Sequence, residues 1–205
     1  MNTSTPSLPC IKRRTMLAAT FAAIMSFNTP ANAVEDSRVF EMRVYVTNEG
    51  KLPALLSRFR DHTVGLFEKH GIENIGYWVP VEKNEGADNT LIYVIAHKNR
   101  EAAAGNWDSF RKDPDWQAAA KASEANGKIL AQKPEVTFMQ ATDYSSAIKA
   151  NVGSSDRIFE LRTYTTPEGK LDALNARFRN HTVGLFSRHG MSHIAYWTPT
   201  DPEAG

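Results

Sequence analysis

A carboxylate, a guanidinium and a phenol stand two positions apart near residue 40. Alternation with apolar residues puts Glu41, Arg43 and Tyr45 on one face of a predicted strand. Arginine can hold a carboxylate through two parallel hydrogen bonds. The pattern therefore has two interpretations. One is an anchor for a small anionic or carbonyl-bearing ligand, and the other is a structural ion pair that fixes strand register.

The same pattern returns later in the chain, with Glu160, Arg162 and Tyr164 in the equivalent positions. The offset is 119 residues, from 41 to 160, and the segments 62–67 and 77–78 return as 181–186 and 196–197 with the same offset. A repeat of this length is a whole small domain rather than a solenoid unit. The chain thus carries two related units.

Two further side chains share a face of a predicted strand at residues 91–97, namely Tyr93 and His97. His97 has no counterpart in the second unit. It could act as an acid or base if its face looks into a cavity, or it could simply end the strand. Trp78 could line a ligand pocket or serve as a packing anchor. The candidate ligand-binding residues are Glu41, Arg43, Tyr45, Trp78, Tyr93, Glu160, Arg162 and Tyr164, and His97 is the candidate catalytic residue.

Metal and thiol chemistry are not expected. The histidines show no spacing typical of metal ligands, so we expect no metal site. We expect no cofactor either, and the alternative is that one histidine serves as an axial haem ligand. The only cysteine, Cys10, lies in the N-terminal segment, which leaves the rest of the chain without a thiol or disulfide.

The elements that must position these residues follow the order β-α-β-β-α-β. Period-2 alternation predicts a first strand at 38–47, and helical periodicity over 51–70 ends at Gly71. The alanine-rich segment 99–128 is predicted to be helical with a break at Asp113-Pro114. This order is typical of an α+β, ferredoxin-like unit.

The domain organisation follows from the repeat. We predict a ferredoxin-like domain at 38–142, a linker at 143–156 and a partial second unit at 157–205, which repeats strand, helix and strand. The second unit lacks counterparts of residues 91–140. We expect the given sequence to be incomplete here; alternatively, the half-unit completes itself against the first unit or another chain.

The N-terminus has the features of a signal peptide. The basic Lys12-Arg13-Arg14 precedes an uncharged run at 16–27 and the small-residue segment Ala31-Asn32-Ala33. We predict cleavage after Ala33, no stable membrane anchor afterwards, and a periplasmic or secreted protein. The paired arginines resemble a twin-arginine signal, with Sec export as the alternative.

Charge argues against one class of partner. The chain has 24 basic and 23 acidic residues, and removal of residues 1–33 takes away three basic ones. No basic run remains, so nucleic-acid binding is not expected.

Several spaced motifs resemble the NIPSNAP family. They are Phe-Glu-Met-Arg-Val-Tyr at 40–45, His62-Thr63, His70-Gly71, Tyr77-Trp78 and the tryptophan-rich segment 107–116. The resemblance implies a dimeric α/β-barrel, in which two ferredoxin-like sheets face each other and helices cover the outside. It implies no catalytic residues. Related groups of this fold include monooxygenases that need little or no cofactor, and haem proteins.

The barrel fold predicts which face of the first strand the helices cover. We expect the helices to cover Phe40, Met42 and Val44, and to leave Glu41 and Arg43 facing a cavity between the sheets. Three functions remain open: binding of a small molecule in that cavity, a cofactor-independent monooxygenase or isomerase with His97 as base, and a protein-interaction module with a filled barrel. The two sheets could come from one chain as a pseudo-dimer or from a homodimer.

Overall fold

The computed structural model describes residues 36–148 and 157–201, and the first unit has the predicted element order. Its elements are β1 (Val39–Val46), α1 (Leu52–Arg58), α2 (Val64–Lys69), β2 (Glu73–Trp78), β3 (Thr90–His97), α3 (Arg100–Lys112), α4 (Pro114–Ser123) and β4 (Glu135–Ala141). All strand pairs are antiparallel, and the strand order β2-β3-β1-β4 is that of a ferredoxin-like sheet. The predicted signal peptide at 1–33 lies outside the described residues.

The helix predicted over 51–70 is interrupted by a wider turn. A π-helical segment, Phe59–Thr63, joins α1 to α2. A π-turn shifts the backbone hydrogen bonds by one residue, so one carbonyl group loses its ordinary partner. The buried hydroxyl of Thr63 donates to the carbonyl oxygen of Arg58 at 3.2 Å. The same turn occurs in the second unit at Phe178–Thr182, which shows that the repeated sequence encodes it.

Local signals set the helix ends, and those at Gly71 and at Asp113-Pro114 are the predicted ones. Gly71 follows α2 with a φ of 71°, the left-handed conformation that glycine adopts most easily. The side chain of Asn99 caps α3 by accepting a hydrogen bond from the backbone N–H of Ala102 at 2.8 Å. Asp113 caps α4 through the N–H of Asp115 at 2.8 Å, and Pro114 occupies the first helical position.

The helices cover the opposite face of the sheet from the one expected. Phe59, Phe67 and Trp107 pack against Tyr93 and Ile95, on the side of the sheet that also carries Tyr45. The prediction that the helices cover Phe40, Met42 and Val44 is therefore wrong. The alternation of residues on β1 does not determine which face of the sheet the helices cover. Strand β3 is apolar on both faces, and the charged side chains of β1 are paired within the helix layer.

The second unit adds helices and one strand. It comprises α5 (Leu171–Arg177), α6 (Val183–Arg188) and β5 (Trp197–Pro199). Strand β5 pairs antiparallel with β4, which extends the sheet to β2-β3-β1-β4-β5. The strand predicted near residues 159–164 is not formed. Its counterpart β1 pairs with β3 and β4, whereas the given sequence holds no equivalents of those strands in the second unit.

A second core lies on the face of the sheet away from the helices. Phe40, Val94, Ala96 and Met139 are buried there, and Ile148 from the segment after β4 packs against them. The rest of the predicted linker, 149–156, lies outside the described residues. Among the helices that the structure describes, none has the length and apolarity needed to cross a lipid bilayer.

Candidate functional site

The carboxylate of Glu41 is fully buried and accepts hydrogen bonds from three side chains. Trp107 Nε1 and His97 Nε2 lie 2.7 Å and 3.0 Å from its Oε2, and Arg43 Nε lies 2.6 Å from its Oε1. The Arg43 guanidinium carbon also stands 3.9 Å from the centre of the Trp107 ring. We call these four residues the Glu41 cluster. It lies between the sheet and the helices.

Both ring nitrogens of His97 are used within the protein. Nε2 contacts Glu41, and Nδ1 lies 3.3 Å from the side-chain nitrogen of Asn106. An amide nitrogen can only donate, so Nδ1 accepts and the proton of the neutral imidazole stays on Nε2. The His97 side chain has no exposed surface. This geometry favours a structural role, because a base needs a free nitrogen within reach of its substrate.

The electrostatics of the cluster follow from burial and pairing. Burial raises the pKa of the Glu41 carboxyl, but the hydrogen bond from His97, the charge of Arg43 and the hydrogen bond from Trp107 outweigh it and hold the pKa below its ordinary value of 4.5. Burial lowers the pKa of Arg43, and the neighbouring Tyr93, Tyr45 and Glu41 outweigh it, so that its pKa is raised. The cluster is therefore an ionised, internally satisfied unit.

Two further candidate residues extend this layer. The hydroxyl of Tyr93 donates to that of Tyr45 at 2.9 Å, and the two rings meet edge to face with centres 5.2 Å apart. Burial raises the pKa of Tyr93 well above its ordinary value. The structure thus brings together Glu41, Arg43, Tyr45 and Tyr93, as the sequence predicts, but it does so beneath the helices.

The equivalent residues of the second unit are on the surface. Arg162 Nε lies 2.6 Å from Glu160 Oε1, the same spacing as in the first unit, but these side chains are 52% and 63% exposed. Tyr164 is exposed and packs edge-on against Phe178. The repeat therefore conserves the local ion pair and not its buried surroundings.

The remaining candidate, Trp78, lies on the other face of the sheet, which we call the apolar face. Side chains from three strands line it, half-buried: Met42, Val44, Ile92 and Trp78. The Trp78 ring lies over Gly76, where a Cβ atom would clash with it. Trp197 of the second unit reaches the same face and packs against Phe40 with ring centres 5.8 Å apart.

The indole nitrogen of Trp197 is an unsatisfied donor. Its Nε1 is buried and has no hydrogen-bond partner among the described residues. Most buried donors in proteins are paired, so an orphan of this kind calls for an explanation. The sequence could not identify this donor, because its burial depends on packing between the two units.

Other candidate chemistries find no support in the described residues. Across 36–148 and 157–201, His, Cys, Asp and Glu side chains form no group of three that could hold a metal ion.

A groove of about 600 Å³ lies on the outer surface between α2 and α4, away from the Glu41 cluster and from the apolar face. It is lined by His62, Asp115 and three alanines, among others.

The antiparallel βαββαβ unit, with all its helices on one face, defines an α+β protein of the ferredoxin-like class found in dimeric α/β-barrels. A segment related to it by the 119-residue repeat follows in the chain. The chain belongs to the NIPSNAP family, because the sequence profile of that family matches residues 40–146. Among curated proteins, none matches this chain.

Several solved structures are similar in fold. A NIPSNAP-like domain protein from Burkholderia xenovorans is 14% identical over 58% of this chain and 98% of its own, with a TM-score of 0.47. A NIPSNAP family protein of unknown function from Agrobacterium tumefaciens is 21% identical over 50% and 86%, with a TM-score of 0.42. SnoaB, a cofactor-independent oxygenase from Streptomyces nogalater, is 13% identical over 49% and 90%, with a TM-score of 0.34.

Proposed function

We propose that this protein binds a small, largely apolar molecule that carries a hydrogen-bond acceptor. The ligand would lie on the apolar face, against Met42, Val44 and Ile92, with Trp78 and Trp197 beside it. The observation that carries this proposal is the buried, unpaired Nε1 of Trp197. An unsatisfied buried donor costs about 1–3 kcal/mol, and a carbonyl or ether oxygen of a ligand would remove that cost.

The surroundings support a neutral ligand. The residues of β1 and β3 across the middle of the apolar face are aliphatic. Strand β4 places Thr137 opposite Met42 and the exposed carboxylate of Glu135 opposite Val44, which disfavours an anionic ligand. Arg43, which sequence analysis offered as an anchor for an anion, points into the helix layer and is paired with Glu41. Small-molecule sites are typically lined by apolar side chains with a small number of polar groups. A ketone, ester or quinone-like aromatic meets this description.

The test uses prodan, a neutral fluorescent aromatic ketone whose emission shifts to the blue in apolar surroundings. We expect saturable binding of one prodan per chain. Trp197→Phe keeps an aromatic ring and removes the donor, so the affinity should fall about fivefold, the value of one hydrogen bond of roughly 1 kcal/mol. Met42→Lys should abolish binding, because it places a charge in the middle of the face.

The matched control is Trp116→Phe. Trp116 packs against Phe110 in the helix layer, with ring centres 4.5 Å apart, so its loss should leave the prodan affinity unchanged. Circular dichroism verifies that each variant folds. Equal affinity in all three variants would contradict the proposal. Native mass spectrometry of the unlabelled protein gives a second check. A complex with another protein, and with no small molecule, would also contradict the proposal.

We also propose that the protein acts outside the cytoplasm. The basic segment, apolar run and Ala31-Asn32-Ala33 support this. Fractionation of a bacterial host that expresses the full chain should give a periplasmic form whose N-terminal residue is Val34. Replacement of Arg13 and Arg14 by lysine should block export if the signal is of the twin-arginine type. Unchanged export would assign it to Sec, and an uncleaved cytoplasmic protein would contradict the proposal.

A further inference from the structure

Three side chains from α2, α3 and the start of α4 connect a surface hydroxyl to a buried carboxylate. The Oγ atom of Ser109 lies 3.1 Å from Nδ1 of His70, and Nε2 of the same ring lies 2.7 Å from Oδ2 of Asp113. Ser109 is exposed, the side chain of His70 is 15% exposed and that of Asp113 only 2%. We call these three residues the Ser109 relay, which runs from solvent to the interior.

Hydrogen bonding fixes which nitrogen of the His70 ring carries the proton. An ionised carboxylate can only accept, so the neutral ring keeps its proton on Nε2 and offers the lone pair of Nδ1 to the Ser109 hydroxyl. The same hydroxyl lies 3.0 Å from the carbonyl oxygen of Asn106, which accepts its proton when both ring nitrogens are protonated. The relay is therefore fully hydrogen-bonded with His70 either neutral or charged.

The carboxyl group of Asp113 is held in its ionised form. Its Oδ1 accepts from the backbone N–H of Asp115 at 2.8 Å, and the Lys69 ammonium lies 2.8 Å from its Oδ2. The hydrogen bonds from Lys69 and His70 hold the pKa of the Asp113 carboxyl well below its ordinary value of 3.8. The carboxylate can thus orient the ring and stabilise the positive charge that forms when the ring takes up a proton.

We propose that Ser109 is an acyl-acceptor site, which takes an acyl group from an activated ester or thioester with His70 as the base. A nucleophile within hydrogen-bond reach of a base that a third group orients is the arrangement of catalytic triads on unrelated folds. The Ser109 Oγ attacks the carbonyl carbon of the donor, and its proton passes to Nδ1 of His70. The bond from that carbon to the leaving oxygen or sulfur breaks, the leaving group takes the proton from His70, and Ser109 remains as an ester.

The position of Ser109 sets the class of acyl donor. Ser109 lies within α3, where the backbone N–H groups are used in the hydrogen bonds of the helix. They cannot form an oxyanion hole, so the relay acts only on acyl groups with a good leaving group. The site lies in the helix layer, on the opposite side of the sheet from the apolar face, and is independent of a ligand bound there.

The second unit supplies a matched control. His189 is the counterpart of His70 at an offset of 119 residues, and it follows α6 as His70 follows α2, with nearly the same backbone conformation. The given sequence holds no counterparts of Ser109 and Asp113 in the second unit. The variant His189→Gln therefore removes an imidazole at an equivalent helix end without touching the relay.

The test treats the folded full chain with 4-nitrophenyl acetate, an aryl ester with a good leaving group. Mass spectrometry after trypsin digestion then locates the acetyl groups. Trypsin releases Ser109 in the peptide 101–111, which holds no lysine, histidine, tyrosine or threonine and no second serine. An acetyl group on this peptide is therefore on Ser109, and its increase with time gives the rate at this residue.

We expect the wild type and His189→Gln to be acetylated at Ser109 at the same rate. His70→Gln should slow this reaction at least about 100-fold, because a positioned base contributes that much or more. Asp113→Asn keeps an oxygen that can cap α4, but its NH2 group faces His70 and moves the ring proton to Nδ1, so the rate should fall to a similar extent. Circular dichroism and urea unfolding verify that each variant folds.

Two results would overturn the proposal. One is a folded wild type whose peptide 101–111 carries no acetyl group. The other is a folded His70→Gln and a folded Asp113→Asn that are both acetylated at Ser109 as fast as the wild type, because the relay would then only hold the helices together. Should His70→Gln fail to fold, Asp113→Asn decides the question, since asparagine caps helices as well as aspartate does.

Discussion

Replacement of Glu41 by glutamine tests the argument that the Glu41 cluster is a satisfied ion pair. The two side chains have the same shape, but an amide offers one acceptor atom where the carboxylate offers two. Its Oε2 now receives both Trp107 Nε1 and His97 Nε2, while Oε1 receives Arg43 Nε. Whichever way the amide is turned, at least one buried donor faces its NH2 group.

The expected cost is about 3 kcal/mol of the free energy of unfolding. Removal of one partner from a buried pair costs about 3–5 kcal/mol, and the lower end applies because Arg43 is 17% exposed and retains its contact with Trp107. For a chain of 205 residues this loss corresponds to a fall in Tm of roughly 6–12 °C. Urea unfolding followed by tryptophan fluorescence measures it.

The second unit supplies the control. Glu160 forms the same local pair with Arg162, but both side chains are exposed, so Glu160→Gln should change the free energy of unfolding by less than about 0.5 kcal/mol. Equal effects of Glu41→Gln and Glu160→Gln would refute the reasoning, because burial would then have no influence on the energy of the pair.

The pH dependence provides a further check on the same variant. The folded-state pKa of Glu41 lies below its ordinary value of 4.5, so its stabilising contribution is complete above pH 4.5 and is lost as the pH falls through the folded-state pKa. The difference between the wild type and Glu41→Gln should therefore be constant near pH 7 and should shrink below pH 4.5. A difference that grows on acidification would contradict the sign of this pKa shift.

The other predictions concern single contacts and use the same unfolding assay. Trp107→Phe should cost about 1.5–3 kcal/mol, because it removes a hydrogen bond to a buried carboxylate; a change near zero would mean that the bond contributes nothing. Thr63→Val should cost about 1 kcal/mol by removing the buried hydrogen bond from its hydroxyl to the Arg58 carbonyl, whereas Thr182→Val in the more exposed second turn should cost less. Gly76→Ala should cost about 1–3 kcal/mol and alter the near-ultraviolet circular dichroism, because the new methyl group displaces the Trp78 ring. An unchanged spectrum would place that ring elsewhere.

The element order of the first unit could be predicted from the sequence, because its determinants are local. Alternation on β1, the glycine after α2 and the Asp113-Pro114 break each depend on neighbouring residues only. The π-turn could not be predicted, since a continuous helix and a helix with one inserted residue have nearly the same apolar pattern. The role of the Thr63 hydroxyl could not be predicted either, because it depends on a hydrogen bond to a carbonyl group that only the structure identifies.

Part of the grouping of the candidate residues could be predicted from the sequence, but their placement in the fold could not. Glu41, Arg43 and Tyr45 do share a face, and Tyr93 joins them from the neighbouring strand. Their orientation was wrong because a buried charge was expected to face a cavity. The indole of Trp107 and the imidazole of His97 supply the missing partners, and these contacts across 56 and 66 positions leave no periodic signal in the sequence.

The separation of the two faces of the sheet has a consequence for directed evolution. The Glu41 cluster lies beneath the helices, whereas Met42, Val44 and Ile92 lie across the backbone from it and are already partly open to solvent. A library randomised at those three positions therefore leaves the Glu41 cluster and the core beneath the helices unchanged. Substitutions at these positions can therefore change the surface offered to a ligand without touching the buried ion pair.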